Sequence, residues 1–404
     1  MILTPVYLVP GLFGVQTSMR QTAVLTTAAT AAFLSSAFFA MRYKVILTPS
    51  PRKTILPTLS TQEIAALPYP SDFLPGRRDV ATPYGSIRVY ESGPEDGEKV
   101  LLVHGISTPA IALGDLAIEL IERGYRVMLF DLFGRGYSDA PADLVYDARL
   151  FVTQILLVLA SSRIPWTSFH LVGYSLGGGL VVSFTRYFPH LVSSAILLAT
   201  GGLIRSYHVS WQSWLLYRSG LLPDSLVEWL VRRRIRPKDD DRQSEAQPVR
   251  ADIASAEIKN HDATAGEEFD SAGISRFRPG VTVSSVVRWQ IDNHRGFIPA
   301  FISTMRNAPI YAPQGDWKAL AKILQERRKK GPREADTPPG LRAGKILMVL
   351  GEDDPIVIKD EAIKDAREVL GYDGVEFTVL PQGHELPITN SDGVANAMEI
   401  FWRQ

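Results

Sequence analysis

Residues 168–179 read SFHLVGYSLGGG, and this stretch decides the fold. Its first seven residues have the pattern of a buried β-strand, and the residues after Ser175 suit a helix. Ser175 therefore lies on a sharp turn within Gly173–Gly177, a G-x-S-x-G pattern. Such a turn strains the serine backbone and holds its hydroxyl above the sheet edge, while small neighbours allow close packing. The stretch predicts that Ser175 is the nucleophile of a hydrolytic enzyme; the alternative is a glycine-rich turn with a solvent-facing serine.

Strand and helix patterns alternate on both sides of this turn. The predicted strands cover residues 86–92, 99–105, 125–131, 168–174, 193–200, 345–351 and 375–380. The predicted helices, apart from the one that follows the turn, cover residues 111–123, 145–162, 204–231, 282–306 and 315–330. Because strands that alternate with helices form parallel sheets covered on both faces, the sequence predicts an α/β fold with a mostly parallel central sheet flanked by helices.

The chain divides into segments of different composition. Residues 81–202 and 341–404 carry the strand–helix alternation and form the two parts of the predicted core. Residues 203–340 interrupt it, and we expect them to form an inserted helical cap. Within the cap, residues 232–272 are strongly charged and poor in apolar side chains, which predicts a mobile surface loop. Residues 46–80 are rich in Pro, Ser and Thr, which predicts an extended linker on the surface.

The N-terminal segment 1–45 contains an uncharged, mostly apolar stretch at 22–41. Twenty helical residues span about 30 Å, the thickness of a bilayer core. Arg42 and Lys44 follow directly, which by the positive-inside rule places the downstream side in the cytosol. We therefore expect a membrane anchor with the catalytic part on the cytosolic side. The alternatives are a cleaved signal, an organelle-targeting segment and a buried N-terminal helix.

The composition of the 404 residues narrows the functional class. The formal net charge is zero, so no basic surface for nucleic acid is indicated. The absence of cysteine excludes disulfides, thiolate metal sites and a cysteine nucleophile. The His, Asp and Glu residues show no metal-ligand spacing, and a phosphate-cradling GxxxxGKS or GxxxxGKT motif is missing. We therefore expect no cofactor and no metal, and a small-molecule or lipid ester as the binding partner.

A serine hydroxyl is a poor nucleophile without a base, and the base needs a carboxylate to orient it. On a sheet of this kind the chain order is serine, acid, histidine. His384 is the only histidine after the last two predicted strands. The acid should follow the strand at 345–351, where Glu352, Asp353 and Asp354 stand together. We favour Asp354, with Asp353 second; the alternatives are an acidic turn and an ordinary surface histidine.

Acyl chemistry also needs N–H donors for the oxyanion of the tetrahedral intermediate. One donor should be the backbone N–H of Leu176, directly after the nucleophile. The other should come from the loop after the strand at 99–105, where we choose Ile106 over Ser107. His104 lies in the same loop, and we expect it to hold the loop by hydrogen bonds rather than to act as a second base.

Several segments together resemble the α/β-hydrolase superfamily, in its esterase- and lipase-like branch with a helical cap. They are Val103-His104-Gly105, Asp131 to Ser138 (DLFGRGYS), Gly173 to Gly177, Gly351 to Asp354 and Gly383-His384. The resemblance covers roughly residues 81–202 and 341–404. It implies that Asp354 is the acid of the triad. It also implies that DLFGRGYS is a structural turn, in which Arg135 and Ser138 carry no catalytic role.

Other side chains concern the cap and the reaction. His294 is expected to cap or pack a helix end, and the alternative is that it lines the cleft. Trp211, Trp214 and Tyr217 are expected to pack the cap onto the core, and the alternative is an acyl pocket. Serine in the turn argues against epoxide hydrolases and haloalkane dehalogenases, which use aspartate there. The expected reaction is hydrolysis of a carboxylic ester. The alternatives are hydrolysis of an amide, thioester or carbon–carbon bond, acyl transfer, and a non-catalytic binding role.

Overall fold

The computed structural model describes residues 46–208, 210–237, 267–311, 314–330, 340–341 and 343–404. The predicted membrane anchor at 22–41 lies outside the described residues, and so does most of the predicted charged loop, from 238 to 266. Among the helices that are described, none combines the length and the apolar character needed to cross a membrane.

An eight-stranded sheet forms the centre of the described body. The described residues form ten strands, eight in this sheet and two in a separate pair. They are β1 (Leu47–Thr48), β2 (Arg77–Thr82), β3 (Gly85–Ser92), β4 (Lys99–Val103), β5 (Arg126–Phe130), β6 (Ala140–Pro141), β7 (Phe169–Tyr174), β8 (Val192–Leu198), β9 (Ile346–Gly351) and β10 (Val375–Leu380). The sheet order is β2-β3-β5-β4-β7-β8-β9-β10, and β1 pairs with β6 separately. Only the β2/β3 and β3/β5 pairs of this sheet are antiparallel, so the predicted mostly parallel sheet is confirmed.

Helices flank the sheet and build the insertion between β8 and β9. They are α1 (Pro51–Thr54), α2 (Thr61–Ala66), α3 (Gly114–Glu122), α4 (Ala148–Ala160), α5 (Leu176–Tyr187), α6 (Trp211–Tyr217), α7 (Asp224–Ile235), α8 (Glu267–Ser271), α9 (Val283–Asn293), α10 (Phe297–Asn307), α11 (Gln314–Lys330), α12 (Lys359–Leu370), α13 (Leu386–Thr389) and α14 (Ser391–Trp402). The helix after the nucleophile turn, α5, packs on β7 and β8. This alternation of elements is the predicted α/β class.

The central strands β4 and β7 place the site. Their side chains are almost all buried, because helices cover a parallel sheet on both faces. The two strands run parallel, with Leu102 opposite Val172 and Val103 opposite Gly173. Both strands therefore end at the same edge of the sheet, where parallel sheets bind their ligands. The loop after β4 and the turn at Ser175 meet at this edge.

Residues 46–80 differ from the predicted extended linker. Ser60 and Glu63 form a capping box that closes the start of α2. Tyr69 is fully buried and donates its hydroxyl to a carboxylate oxygen of Asp131 at 3.0 Å. Serine and proline favour helix starts as well as loops, so the composition alone could not separate the two structures.

The predicted helix at 204–231 is divided into α6 and α7. Pro223 directly precedes α7 and cannot donate a backbone hydrogen bond to a continuous helix. Trp211 and Trp214 are 72% and 51% exposed, so the prediction that they pack the cap onto the core was wrong. Tyr217, the third member of that series, is buried.

Two further parts of the insertion differ from their predictions. α8 lies within the predicted mobile loop 232–272, and its Phe269 is buried, so that prediction was wrong for residues 267–272. α11 was assigned to the cap, but it packs against α5 and α12. Asp316 of α11 accepts a hydrogen bond of 2.6 Å from the hydroxyl of Ser183 in α5. A charged, amphipathic helix has the same sequence pattern in a cap as on the flank of a core.

Candidate active site

Ser175 joins β7 to α5 with φ of 53° and ψ of −116°. Residues other than glycine rarely take such angles, and the surrounding packing must hold them. That packing is close: a Cβ at Gly173 would overlap the carbonyl oxygen of Gly177, and a Cβ at Gly177 would overlap that of Val103. The predicted strained turn, with close backbone approach on both sides, is present.

His384 lies in the loop that follows β10. Its Nε2 is 3.0 Å from Ser175 Oγ, and its Nδ1 is 2.8 Å from Asp354 Oδ2. His384 and Asp354 are buried, with 3% and 6% of their surface exposed. Because the carboxylate can only accept, Nδ1 carries the hydrogen, and Nε2 is left to accept from the serine hydroxyl.

Asp354 is oriented by the backbone that follows it. Its Oδ1 accepts the N–H groups of Ile356 and Val357 at 2.8 and 2.9 Å, which leaves Oδ2 for His384. The neighbouring Asp353, the second candidate from the sequence, is exposed. The structure therefore brings Asp354, and not Asp353, to the histidine.

Two aromatic side chains that the sequence did not mark contact His384. The Tyr174 hydroxyl donates to the backbone carbonyl of His384 at 2.9 Å. The ring centroid of Phe269 lies 5.9 Å from that of the imidazole. Tyr174 occupies the variable position before the nucleophile, and Phe269 is a single aromatic in a charged run, so neither had a pattern that indicated this role.

The loop after β4 is held through its carbonyl groups. The carbonyls of residues 105, 106 and 107 accept hydrogen bonds, in that order, from His104 Nδ1 (2.8 Å), Arg135 Nε (3.1 Å) and Gln290 Nε2 (2.8 Å). All three side chains are buried. Because the C=O and N–H groups of a trans peptide point in opposite directions, these bonds also set the directions of the following N–H groups.

The predicted oxyanion donors lie beside the nucleophile. Leu176 is the first residue of α5, so its N–H has no acceptor within the helix. Gly105 touches the turn closely enough that a Cβ there would lie 3.4 Å from the Cβ of Ser175. Ile106 and Leu176 line the same cavity as Ser175, and so does the weaker candidate Ser107.

Arg135 and Gln290 connect this loop to the insertion. The Arg135 guanidinium also donates to the hydroxyl of Thr304 in α10 at 2.9 Å, and burial lowers the pKa of Arg135 to about 10. Gln290 of α9 accepts the N–H of Gly136 at 2.9 Å. Sequence reasoning missed Gln290 because one glutamine on an amphipathic helix forms no motif.

The DLFGRGYS segment is a structural turn, as the resemblance implied. The Asp131 carboxylate accepts the N–H groups of Ala110 and Tyr137 at 2.9 and 2.8 Å. Ser138 donates its hydroxyl to the carbonyl of Asp131 at 2.7 Å. Gly136 has φ of 52°, and a Cβ at this position would overlap the carboxylate of Asp131. Burial raises the pKa of Asp131 to about 6.

Two buried histidines near the site are held neutral. His104 Nε2 accepts the N–H of Leu132 at 2.9 Å, and burial lowers the pKa of His104 to about 3. His294 ends α9 and donates from Nε2 to the carbonyl of Ser138 at 2.9 Å, and burial lowers its pKa to about 4. Both side chains form hydrogen bonds with backbone groups, which agrees with the structural roles predicted for them.

The cavity over Ser175 has a largely apolar wall. Besides the catalytic candidates it is lined by Gly105, Ile106, Ser107, Thr108, Tyr174, Leu176, Gly201, Ile204, Ile235, Pro237, Phe269, Asp270, Val287, Phe301, Met305, Ile310, Tyr311 and Ile356. The insertion supplies much of this wall, through α7, α8, α9 and α10. In the part of the chain that the structure describes, no group of three or more His, Asp or Glu side chains is placed to hold a metal ion.

Residues 99–390 match the sequence model of the alpha/beta hydrolase fold. The chain belongs to the α/β-hydrolase fold family. An uncharacterised protein from Mycobacterium bovis is 33% identical over 128 residues, which are 31% of this α/β-hydrolase and 34% of that protein. A serine hydrolase-like protein from Danio rerio is 28% identical over 123 residues, 30% of this chain and 37% of that protein. The matches span about a third of the length of these curated relatives.

Solved structures share this fold at low sequence identity. A membrane phospholipase A has a TM-score of 0.54 at 15% identity, and the match covers 95% of this α/β-hydrolase and 98% of that chain. This likeness shows the fold alone. The sequence model and the serine hydrolase-like relative therefore agree on the fold family.

Proposed function

We propose that this hydrolase cleaves a carboxylic ester through an acyl-enzyme on Ser175. The observation that carries the proposal is a chain of two hydrogen bonds. The first spans 3.0 Å between Ser175 Oγ and His384 Nε2, and the second spans 2.8 Å between His384 Nδ1 and Asp354 Oδ2. A neutral imidazole so placed is a base for the hydroxyl, and the carboxylate stabilises the imidazolium that forms.

The first half-reaction acylates the serine. Ser175 Oγ attacks the acyl carbon of the ester while its proton moves to His384 Nε2, and the carbonyl oxygen becomes an oxyanion. The tetrahedral intermediate then collapses, and the bond from the acyl carbon to the alcohol oxygen breaks. His384 gives its proton to that oxygen, and the alcohol leaves.

The second half-reaction returns the free enzyme. A water molecule attacks the acyl carbon, and His384 Nε2 takes a proton from it. The second tetrahedral intermediate expels Ser175 Oγ, which regains its proton from His384. The carboxylic acid leaves, so the net reaction adds water across the ester bond.

The oxyanion of both intermediates is proposed to accept from the N–H groups of Leu176 and Ile106. Two observations support this pair. The N–H of Leu176 stands at the start of α5, where the helix dipole also favours negative charge. The N–H of Ile106 belongs to the peptide whose carbonyl His104 holds from the other side.

A fluorophosphonate probe tests the proposed nucleophile. We expect it to label the protein, and Ser175→Ala to abolish the labelling, because only an activated serine attacks phosphorus at a useful rate. Ser107→Ala is the matched control, since it removes another hydroxyl of the same cavity and should still be labelled. Labelling of Ser175→Ala at the wild-type rate would contradict the assignment.

The leaving group and the acceptor of the acyl group distinguish ester hydrolysis from the related reactions. Amide, thioester and carbon–carbon bond hydrolysis and acyl transfer would all use the same triad. The apolar cavity wall favours an acyl chain as the group bound there. Parallel assays with short- and long-chain p-nitrophenyl esters, aminoacyl amides and a competing alcohol acceptor separate ester hydrolysis from amide hydrolysis and from acyl transfer. Turnover of amides alone, or a product that always carries the acceptor, would contradict ester hydrolysis.

We also propose that residues 22–41 attach the enzyme to a membrane, with the catalytic part on the cytosolic side. The support is the uncharged, apolar composition of this stretch and the basic residues that follow it. The full-length chain is expected in the membrane fraction of a cell extract after an alkaline wash. Recovery of the full-length chain in the supernatant would contradict the anchor.

A further inference from the structure

One carboxylate lies in the cavity wall apart from the triad. Asp270 belongs to α8 and lines the same cavity as Ser175 and His384. The preceding residue, Phe269, places its ring centroid 5.9 Å from that of His384. In the sequence of this short helix, Asp270 therefore directly follows a residue whose ring contacts the proposed base.

Asp270 makes no hydrogen bond or ion pair to any residue that the structure describes. Other buried carboxylates of this protein are satisfied. Asp115, for example, accepts from the hydroxyl of Ser275 at 2.8 Å and from the N–H of Arg276 at 2.7 Å. Burial without such donors raises the pKa of Asp270. Because this half-buried carboxylate has no partner among the described residues, a ligand in the cavity can supply one.

Among the described residues of the wall, none carries a positive charge that would compensate Asp270. No lysine or arginine is among the described residues that line the cavity. The other ionisable side chains there are His384, Tyr174 and Tyr311. In a mostly apolar cavity a single carboxylate attracts a cation and repels an anion more strongly than it would in water.

We infer that Asp270 is a cation-binding subsite, and that the enzyme prefers esters whose acyl or alcohol part carries a positively charged nitrogen. This inference rests on the proposed function, because the subsite is defined relative to the acyl-enzyme on Ser175. Phe269 also lines the cavity, and aromatic faces favour quaternary ammonium groups.

The test uses pairs of p-nitrophenyl or alkyl esters that differ only in charge. One member of each pair ends in a trimethylammonium group and the other in the isosteric, neutral tert-butyl group. Two series place this group on the acyl chain or on the alcohol, each with two to six methylene groups as a spacer. The measured quantity is the ratio of kcat/KM for the charged ester to that for the neutral ester.

In the wild type we expect this ratio to exceed one by about tenfold or more in at least one series. Asp270→Asn keeps the shape of the side chain and should bring the ratio close to one, through a fall in kcat/KM for the charged ester. Glu268→Gln is the matched control, because it removes an equal charge from an exposed position of the same helix and should leave the ratio unchanged.

The outcomes separate the subsite from the reaction. If neutral esters are hydrolysed and Ser175 is labelled, but Asp270→Asn leaves every ratio at its wild-type value, the subsite is refuted and the proposed function stands. An equal fall of the ratio in Glu268→Gln also refutes the subsite, since it would reflect the general charge of α8. If neither member of any pair is hydrolysed, the proposed function itself fails.

Discussion

Asp354 and Asp353 are neighbours with the same side chain and opposite surroundings. Asp354 accepts two backbone N–H groups with one oxygen and faces His384 with the other, whereas Asp353 is exposed. Asp354→Asn keeps the shape but removes the charge that stabilises the imidazolium. We expect kcat for p-nitrophenyl butyrate to fall about 10³- to 10⁴-fold, with folding retained. Steady-state kinetics and the urea unfolding midpoint measure the two effects.

Asp353→Asn is the matched control for this prediction. It removes an equal charge one residue away, at a position that does not contact the histidine. Its kcat should stay at the wild-type value. A similar loss of kcat in both variants would show that the general charge of this turn, and not the bond from Asp354 to His384, supports the reaction.

The sequence could predict some of these residues for definite reasons. Ser175 and His384 follow from a turn motif and from chain order, both of which can be read directly from the sequence. Asp353 and Asp354 remained as alternatives, because adjacent side chains point in different directions and the backbone beyond them decides which is used. Phe269 and Asp270 could not be predicted, since their role depends on where α8 is placed against the core.

Among the elements, α9 fastens the insertion to the loop after β4, which carries the proposed oxyanion donor Ile106. Its Gln290 donates to the carbonyl of Ser107 at 2.8 Å and accepts the N–H of Gly136 at 2.9 Å. Gln290→Leu leaves both backbone groups without this partner in a buried place. We expect kcat to fall about tenfold to a hundredfold with a smaller change in KM, because the loop that carries the proposed oxyanion donor Ile106 loses one of its anchors.

The effect of Gln290→Leu on stability can be separated from its effect on kcat. Gln290→Leu should also lower the free energy of unfolding by about 1–3 kcal/mol, through the unsatisfied groups. Asp292→Asn removes an exposed ion pair with Arg236 from the same helix, and it should lower the free energy of unfolding by less than about 1 kcal/mol and leave kcat unchanged. A loss of stability in Gln290→Leu at unchanged kcat would show that α9 supports the fold but does not position the loop.

At the level of the whole molecule, the structure of the core could be predicted from the sequence, whereas the packing of the insertion could not. Strands such as β4 and β9 are continuous apolar runs, because helices cover both sheet faces. A run of this kind can be recognised from the sequence alone. The helices of the insertion are amphipathic, and an amphipathic pattern does not reveal which surface a helix packs against. Whether Trp211 or Tyr217 is buried depends on the surface against which α6 packs, and that surface is formed by distant residues.

The proposed anchor and the catalytic body are separable in sequence. Residues 46–404 form one compact unit that contains Ser175, Asp354 and His384. Deletion of residues 1–45 is therefore expected to leave kcat/KM for a water-soluble short-chain ester unchanged. The same deletion should move the enzyme from the membrane fraction to the supernatant, because it removes the apolar stretch at 22–41. Retention of the shortened chain on membranes would place the attachment elsewhere, and a loss of activity on the soluble ester would show that the N-terminal segment supports the site itself.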